Sequence, residues 1–228
     1  MTSLMTGIWI VIAAYNEDSI IRNVVSDVWE AYRNVVVVDD GSSDNTAAEA
    51  AAGGAIVVRH PINLGQGAAL QTGITFALSR GAQHIVTFDA DGQHQVKDIA
   101  RLLHALCSEE ADYALGSRFL EAGSNVPAAR KLVLHAAAAF TRMTTGLNLS
   151  DVHNGLRAMT RRGAGSLCIR QNRMAHASEI LQQIADSGLR YVEVPVTVAY
   201  TDYSLAKGQR LAGSIDILVD LMAERLQR

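Results

Sequence analysis

Two carboxylates, Asp89 and Asp91, stand two residues apart directly after the apolar run 84–88. Glycine, glutamine and histidine follow them, so amide and imidazole groups lie beside the pair. Two carboxylates at the end of a buried strand can bind one hard divalent cation. Mg²⁺ or Mn²⁺ with a bound diphosphate suits them, because Mg²⁺ takes one or two carboxylates and leaves its other positions to water and phosphate. The alternative is an ordinary solvated Asp-Gly turn after a strand.

The elements that position this pair follow from the hydrophobic pattern. The first half predicts strands at 8–14, 34–39, 55–59 and 84–88, and helices at 19–32, 45–52, 67–80 and 96–108. The rest predicts strands at 111–116, 156–159 and 190–197, and helices at 128–145, 162–170, 176–187 and from about 209 onward. Continuous apolar strands favour a parallel sheet that is covered on both faces. The predicted fold class is therefore α/β, with a Rossmann-like, mostly parallel central sheet flanked by helices.

Polar clusters follow each of the first four predicted strands. They are residues 15–17, 39–42, 63–67 and 89–91. In an open parallel sheet the ligand lies beyond the carboxyl ends of the strands. We therefore expect the four clusters to line one crevice.

Charge is distributed unevenly along the chain. The net charge of −3 combines −8 over residues 1–112, +7 over residues 113–175 and −2 over the rest. The basic middle segment predicts an anionic partner. It has few aromatic residues for base stacking and matches no nucleic-acid-binding module, so we expect no nucleic acid. A phosphorylated ligand or an anionic membrane surface fits better.

Composition indicates one globular unit. With 49% hydrophobic and 19% charged residues, the 228-residue chain can bury one core, and we expect a single domain over 1–228. No window resembles a membrane span or a signal peptide, which predicts a cytoplasmic protein. Cys107 and Cys168 lack metal-binding spacing and are expected to be ordinary buried or half-buried thiols.

With these motifs in order, the chain resembles the family 2 inverting glycosyltransferases of the GT-A fold. Within that family it is most similar to the dolichyl- or polyprenyl-phosphate mannosyl- and glucosyltransferases. The runs that carry the resemblance are Ile12-Ala13-Ala14-Tyr15-Asn16-Glu17, Val38-Asp39-Asp40-Gly41-Ser42-Ser43-Asp44, Asn63-Leu64-Gly65-Gln66-Gly67, Asp89-Ala90-Asp91-Gly92-Gln93-His94, Gly116-Ser117-Arg118, Arg130-Lys131 and Asp151-Val152-His153-Asn154-Gly155-Leu156-Arg157.

The resemblance implies a donor side in residues 1–112 and an acceptor side in residues 113–228. The implied nucleotide-sugar-binding residues are Ala14, Tyr15, Glu17, Asp39, Asp40, Gly65, Gly67, Asp89, Ala90 and Lys207. The implied metal ligands for Mg²⁺ or Mn²⁺ are Asp89, Asp91 and Gln93. The implied acceptor-phosphate residues are Arg118, Arg130 and Lys131, and the catalytic set is Asp91, Asp151, Arg118 and Arg130.

The expected reaction moves a hexose from a UDP- or GDP-sugar to a polyprenyl or dolichyl phosphate. A lipid phosphate is already anionic, so it needs arginines more than a base. An alcohol or saccharide acceptor would instead need a base, for which Asp151 is the candidate. A third hypothesis is a non-catalytic nucleotide-sugar-binding subunit of a membrane complex.

Relatives of this kind often continue into transmembrane helices, so we expect peripheral contact at the inner face of the plasma membrane, or a small membrane partner protein. The apolar stretch 131–140 can be a core helix or a membrane-facing one. The apolar face of 211–226 can cover the sheet, dock such a partner or bind a second copy of the chain.

Two other features have competing interpretations. His94 can ligate the metal directly, or it can support the carboxylates or lie at the surface. The group Arg157, Arg161 and Arg162 can belong to an anion-binding surface or to a solvated face, and the solvated face applies most directly to Arg161 and Arg162.

Overall fold

A computed structural model describes residues 7–120, 128–171 and 175–199. Over these ranges the strands are β1 (Ile8–Ala14), β2 (Val35–Asp39), β3 (Ile56–Arg59), β4 (His84–Asp89), β5 (Tyr113–Ser117), β6 (Arg157–Thr160) and β7 (Tyr191–Pro195). The helices are α1 (Ile21–Ala31), α2 (Thr46–Ala52), α3 (Gln66–Ser79), α4 (Val96–Ser108), α5 (Ala128–Thr145), α6 (Arg161–Ser166) and α7 (Ala175–Ser187). The helix predicted from about 209 lies outside the described residues.

The seven strands form one sheet in the order β3-β2-β1-β4-β6-β5-β7. β6 runs antiparallel to both of its neighbours, β4 and β5, and the other described pairings are parallel. The predicted α/β class with a mostly parallel sheet is confirmed. Because β6 is reversed, its beginning meets the ends of β4 and β5 at the same edge of the sheet.

Helices cover the sheet on both faces, as continuous apolar strands require. One core layer packs α1, α2 and α4 against the sheet, and the other packs α3, α5, α6 and α7 against the opposite face. Alternate residues of β1 divide between the layers: Ile10 and Ile12 enter the first, and Val11 enters the second. Each fully buried aliphatic side chain of this kind contributes roughly 1.5–3 kcal/mol.

The turn after β2 illustrates why a glycine is needed at the site edge. Gly41 has a φ of +73°, which L side chains rarely adopt. A Cβ at this position would lie 2.5 Å from the carbonyl carbon of Ile62. The loop after β2 and the loop after β3 are therefore in direct contact.

Some predicted boundaries and exposures differ from the structure. The helix predicted over 162–170 ends at Ser166, because Leu167 is already extended and glycines at 163 and 165 weaken the helix. Cys107 and Cys168 are both exposed, so their prediction as buried thiols is wrong. The hydrophobic pattern around each cysteine did not determine whether the cysteine side chain faces the core. Among the described helices, none combines the length and apolarity that crossing a membrane requires.

Candidate active site

The loops after β1 and β2 are joined by hydrogen bonds. The Asn16 backbone N–H donates to Ser42 Oγ at 2.9 Å, and Asn16 Oδ1 accepts from the Ser43 N–H at 3.0 Å. The Glu17 N–H donates to Thr46 Oγ1 at 2.7 Å. Asn16 has a φ of 53°, a left-handed conformation that asparagine tolerates better than most residues. These bonds fix the turn that holds the predicted donor residues Tyr15 and Glu17; the Tyr15 side chain is exposed.

Asp39 ends β2 as a fully buried carboxylate. Its Oδ1 accepts the Ser42 N–H at 3.0 Å, and its Oδ2 lies 3.1 Å from Arg59 Nε. That ion pair lacks hydrogen-bond geometry, so Oδ2 stays without a hydrogen bond among the described residues. A cleft of about 370 Å³ lies next to its partners Ser42 and Arg59 and is lined by Gly41, Ser42, Arg59, His60 and Pro61. Asp39 therefore keeps an acceptor atom for a ligand.

Asp40 organises the loop after β3. Its Oδ1 accepts the Leu64 N–H at 2.9 Å and lies 2.7 Å from His60 Nδ1, while Oδ2 accepts the Gly65 N–H at 2.7 Å. The Asp40 N–H in turn donates to the carbonyl of Ala14 at 2.9 Å. Gly65, with a φ of 97°, then leads into α3. Asp40 thus shapes the predicted donor pocket through the backbone.

Gly67 and Ala90 occupy tight positions in the same region. A Cβ at Gly67 would collide with the carbonyl of Gln171 and would lie 2.8 Å from the Cβ of His176, so this first turn of α3 lies directly under α7. Ala90 is buried in the core between the two carboxylates of the opening motif.

Asp89 and Asp91 stand at the end of β4 in different surroundings. Asp89 Oδ2 lies 2.8 Å from Nε2 of His94, whose side chain is 4% exposed. Asp91 Oδ1 accepts the Gln93 N–H at 3.0 Å. His94 is thus neither at the surface nor independent of the pair, since it holds the first carboxylate.

The two carboxyl groups differ in pKa. Burial opposes ionisation of Asp89, but the hydrogen bond from His94 and the positive charges of His94 and Arg157 outweigh it, so the pKa of Asp89 is lowered. Burial raises the pKa of Asp91, and the neighbouring negative charges of Asp89 and Glu17 raise it further. The two carboxylates are therefore close enough to repel each other.

This pair fits a divalent cation. Mutual repulsion between two carboxylates is the condition that a cation between them relieves. Within the described ranges, no group of three or more His, Cys, Asp or Glu side chains is arranged to hold a metal by itself. A site with few protein ligands suits Mg²⁺ or Mn²⁺ that is also bound by substrate phosphates. Asp89 and Asp91 are the side chains available for it, and Gln93 engages this loop through its backbone.

Arg118 and Asp151 form a buried ion pair beyond the end of β5. Arg118 Nε donates to Asp151 Oδ2 at 2.6 Å, and the Arg118 backbone N–H reaches the same oxygen at 3.2 Å. Asp151 Oδ1 accepts the His153 N–H at 3.3 Å. The Asp151 side chain is fully buried and that of Arg118 is 9% exposed. Asp151 thus holds Arg118 in place.

Strand β7 supports the loop that carries Asp151. Glu193 accepts hydrogen bonds from the backbone N–H groups of Ser150 and Asp151 at 2.8 and 3.2 Å. Ser150 Oγ lies 2.6 Å from Ser117 Oγ at the end of β5. The loop that carries Asp151 is therefore fixed to two strands.

The other predicted acceptor residues are only partly described. The backbone of Arg130 and Lys131 belongs to α5, but their side chains lie outside the description, and Lys207 lies outside the described residues altogether. Arg161 and Arg162 follow β6 at the opposite edge of the sheet. There Arg162 Nη2 donates to Asp112 Oδ2 at 2.6 Å and Arg161 donates to the carbonyl of Ala82. The solvated-face interpretation fits these two arginines.

Sequence reasoning missed two residues of the site. Arg157 was considered only as one of three neighbouring arginines, and His153 only as part of a motif. Arg157 is buried, His153 is partly buried, and the charge of Asp151 acts on both. The signal that could have identified Arg157 is its place at the start of a strand, four residues before Arg161. A four-residue strand spans about 13 Å, so its two ends lie at different edges of the sheet.

Comparison with known proteins identifies the family. The sequence model of Glycosyl transferase family 2 matches residues 9–166. An uncharacterised protein of Methanocaldococcus jannaschii is 34% identical over 224 residues, which cover 96% of this chain and 92% of that one. The UDP-N-acetylglucosamine–dolichyl-phosphate N-acetylglucosaminyltransferase of Methanococcus voltae is 32% identical, with 94% of each chain covered.

A solved structure supports the same fold. The crystal structure of glucosyl-3-phosphoglycerate synthase from Mycobacterium tuberculosis, in complex with Mn²⁺ and UDP-glucose, superposes with a TM-score of 0.73. It is 22% identical, and the match covers 97% of this chain and 82% of that one. This similarity concerns the fold alone, which is GT-A. With the family model matching more than half of the sequence, the chain belongs to glycosyl transferase family 2 and is a glycosyltransferase.

Proposed function

We propose that this glycosyltransferase moves a hexose from a nucleotide diphosphate sugar to a polyprenyl phosphate, with inversion at the anomeric carbon and with Mg²⁺ or Mn²⁺ at Asp89 and Asp91. Residues 1–112, together with Lys207, hold the donor, and the other site residues of 113–228 hold the acceptor. Both belong to one domain.

The observation that carries the proposal is the pairing of Asp151 with Arg118. An alcohol acceptor needs a base that can take its proton. Asp151 was the candidate, but one of its oxygens accepts from Arg118 and the other from the His153 backbone. A phosphate oxygen is already anionic and needs no base. The contacts therefore favour a phosphate acceptor that is oriented by arginine.

The donor side supplies complementary contacts. Asp39 Oδ2 is a buried acceptor atom without a hydrogen bond, suited to a ribose hydroxyl or a base N–H. Tyr15 and Glu17 lie on the turn that is fixed to the loop after β2. A relative 32% identical over 94% of its length is named for a UDP-sugar and dolichyl phosphate, so UDP-sugars are the first donors to test.

In the transfer, an acceptor phosphate oxygen attacks the anomeric carbon while the bond from that carbon to the diphosphate oxygen breaks. The departing electron pair remains on the nucleoside diphosphate. A bound divalent cation supplies Lewis-acid stabilisation of that leaving group. Arg118, held by Asp151, orients the attacking phosphate, and Arg130 and Lys131 add positive charge to the same subsite. Lys207 contributes to the donor diphosphate.

This function brings the acceptor side to a membrane surface, because a polyprenyl chain resides in the bilayer. We infer peripheral contact at the cytoplasmic face, made by the chain itself or through a membrane partner.

The first experiment is transfer from a panel of UDP- and GDP-sugars to a short-chain polyprenyl phosphate, with Mg²⁺, Mn²⁺ or EDTA. We expect a glycosylated lipid phosphate that disappears in EDTA. Full transfer in EDTA would refute the metal site. The absence of a lipid product from any donor would refute the acceptor assignment.

The substitution Asp151→Asn separates the two acceptor classes. We expect it to release Arg118, raise the KM for the polyprenyl phosphate about 10–100-fold and leave much of kcat, because one charge-assisted contact is weakened. Steady-state kinetics at saturating donor measure this, with Asp186→Asn on the exposed surface of α7 as the control. Complete loss of kcat with an unchanged KM, together with turnover of a saccharide acceptor by the wild type, would instead make Asp151 a base.

A further inference from the structure

Arg157 is a buried arginine to which the proposed transfer assigns no role. It begins β6, where it pairs with Thr87 of β4 on one side and with Leu115 of β5 on the other. Its exposure is 5%. It therefore stands between the strand that ends at Asp89 and the strand that leads to Arg118.

The guanidinium of Arg157 has no protein partner among the described residues. None of their oxygen atoms accepts a hydrogen bond from it, and none of their carboxylates lies within ion-pair distance. Buried polar groups are nearly always hydrogen-bonded, and an unpaired buried cation is costly. The Arg157 side chain is largely removed from water, but its nitrogens are not among the fully enclosed atoms without a partner, so an anionic ligand can reach them from the solvent side and offset this cost.

Negative charges act on Arg157 from both the proposed donor side and the proposed acceptor side. Asp89 and Asp151 are the carboxylates that stabilise its positive charge from a distance, against the cost of burial. Each of these carboxylates has another direct partner, His94 and Arg118 respectively. Arg157 thus lies between the donor carboxylate and the acceptor ion pair without being bound by either.

The side chain of Arg157 lies on the same face of the sheet as that of Asp89. Arg157 and Thr87 are cross-strand partners, and Asp89 follows Thr87 by two residues, so all three side chains lie on the same face of the sheet. That face is the one covered by α3 and α7. His153 Nδ1, a buried atom without a hydrogen-bond partner in the described ranges, belongs to the same cluster.

We propose that Arg157 binds a phosphate oxygen of the substrates at the junction of the donor and acceptor sides. This inference rests on the proposed function. A guanidinium presents a planar fork of donors that matches two phosphate oxygens, which a lysine cannot reproduce. The phosphate can belong to the donor diphosphate or to the acceptor lipid, and both have the same chemistry.

A ligand-binding role and a structural role predict opposite effects of Arg157→Met on the unliganded protein. If the cation has no protein partner, replacing it with an apolar side chain of similar length leaves the melting temperature unchanged or raises it. If it instead stabilises Asp89 and Asp151 structurally, the melting temperature falls by several degrees. Arg157→Lys keeps the positive charge but loses the planar pair of guanidinium donors. Arg162→Gln, at the opposite edge of the sheet, is the control.

The experiment measures thermal stabilisation of each variant by UDP with Mg²⁺, by farnesyl phosphate and by inorganic phosphate, with uridine and farnesol as uncharged controls. We expect Arg157→Met to keep the unliganded melting temperature and to need at least about 10-fold more of one phosphate probe for equal stabilisation. Arg157→Lys should be intermediate. Loss confined to UDP assigns the donor phosphate, and loss confined to farnesyl phosphate assigns the acceptor.

Two results would overturn the proposal: wild-type responses of Arg157→Met to all three phosphate probes, or a lowered melting temperature in both Arg157 variants with unchanged probe affinity. The proposed function fails separately. If the wild type binds inorganic phosphate through Arg157 but responds to neither UDP nor farnesyl phosphate, the residue assignment stands and the glycolipid function falls. No response of the wild type to any phosphate probe refutes both.

Discussion

At the scale of single residues, the carboxylates of the site differ in what holds them. Asp40 binds backbone N–H groups and a histidine, and so shapes a loop. Asp39 keeps one oxygen without a hydrogen bond, and Asp89 is held by His94. Asp151 is committed to Arg118. All four residues are aspartates, so their different roles follow from their different partners.

His153 gives a pH-dependent prediction at this scale. Burial lowers the pKa of His153 to about 4; the charge of Asp151 opposes this shift, and those of Arg157 and Arg118 add to it. The folded protein therefore holds this imidazole neutral, while the unfolded chain protonates it below about pH 6.5. Between about pH 6.5 and 4 the unfolded state binds more protons, so stability falls as the pH falls, by up to about 3 kcal/mol from this residue.

Urea unfolding of the wild type and of His153→Gln at pH 7.5 and at pH 5 tests this effect. We expect the wild type to lose more stability than His153→Gln on acidification. His104→Gln, on the exposed side of α4, should behave like the wild type. Equal losses in all three proteins would contradict the assignment.

At the scale of elements, the antiparallel strand β6 decides which loops meet. Because β6 lies between β4 and β5 and runs in reverse, the loop that precedes it lies at the ends of both. Thr87 Oγ1 donates to the carbonyl of Gly155 at 2.7 Å, which fastens this loop to β4. The carboxylate of Asp89 then packs directly over Gly155, where a Cβ would collide with it.

Gly155→Ala tests this contact. The added methyl group should displace the carboxylate of Asp89 and lower transfer activity by about 10²-fold, because a misplacement of about 1 Å suffices for such a loss. Transfer assays at several Mn²⁺ concentrations measure it, and part of the loss should be recovered at high Mn²⁺. Gly165→Ala in α6 is the matched control, since nothing lies within 4 Å of a Cβ there. If Gly155→Ala had wild-type activity, the proposal that the contact with Gly155 positions the Asp89 carboxylate for transfer would be refuted.

At the scale of the whole molecule, one continuous sheet joins the proposed donor and acceptor sides. The first four strands carry the carboxylates assigned to the donor, and β5, β6 and β7 carry the pair Arg118 and Asp151 and its support. Both core layers contain residues from both sides of this division. The two sides therefore differ in charge and in proposed ligand, but they share one core.

We expect a single cooperative thermal transition for the protein, with calorimetric and van't Hoff enthalpies in agreement. UDP with Mn²⁺ at about 100 times its dissociation constant should raise the transition temperature by about 5–10 °C, since ligand binding adds about 2.7 kcal/mol. Scanning calorimetry with and without EDTA measures both effects. Two separate transitions, or a shift that survives EDTA in full, would contradict the expectation.

Several features could be predicted from the sequence because they are local. Strands β1, β2 and β4 are continuous apolar runs, and each ends at a polar cluster that the chain itself marks. Since parallel strands end at one edge of the sheet, these runs suffice to predict a crevice and the pair Asp89 and Asp91 within it. The helices α4 and α5 also have the predicted bounds.

Only the tertiary structure decided which basic residues meet at the proposed acceptor side. The sequence contains a basic middle segment, but it cannot tell Arg157 from Arg161 and Arg162, because four residues of strand carry them to opposite edges. The pairing of Arg118 with Asp151 depends on where β6 inserts between strands that are distant in the chain. Such long-range pairing is set by the packing of the whole sheet, whereas the donor carboxylates needed only the end of their own strand.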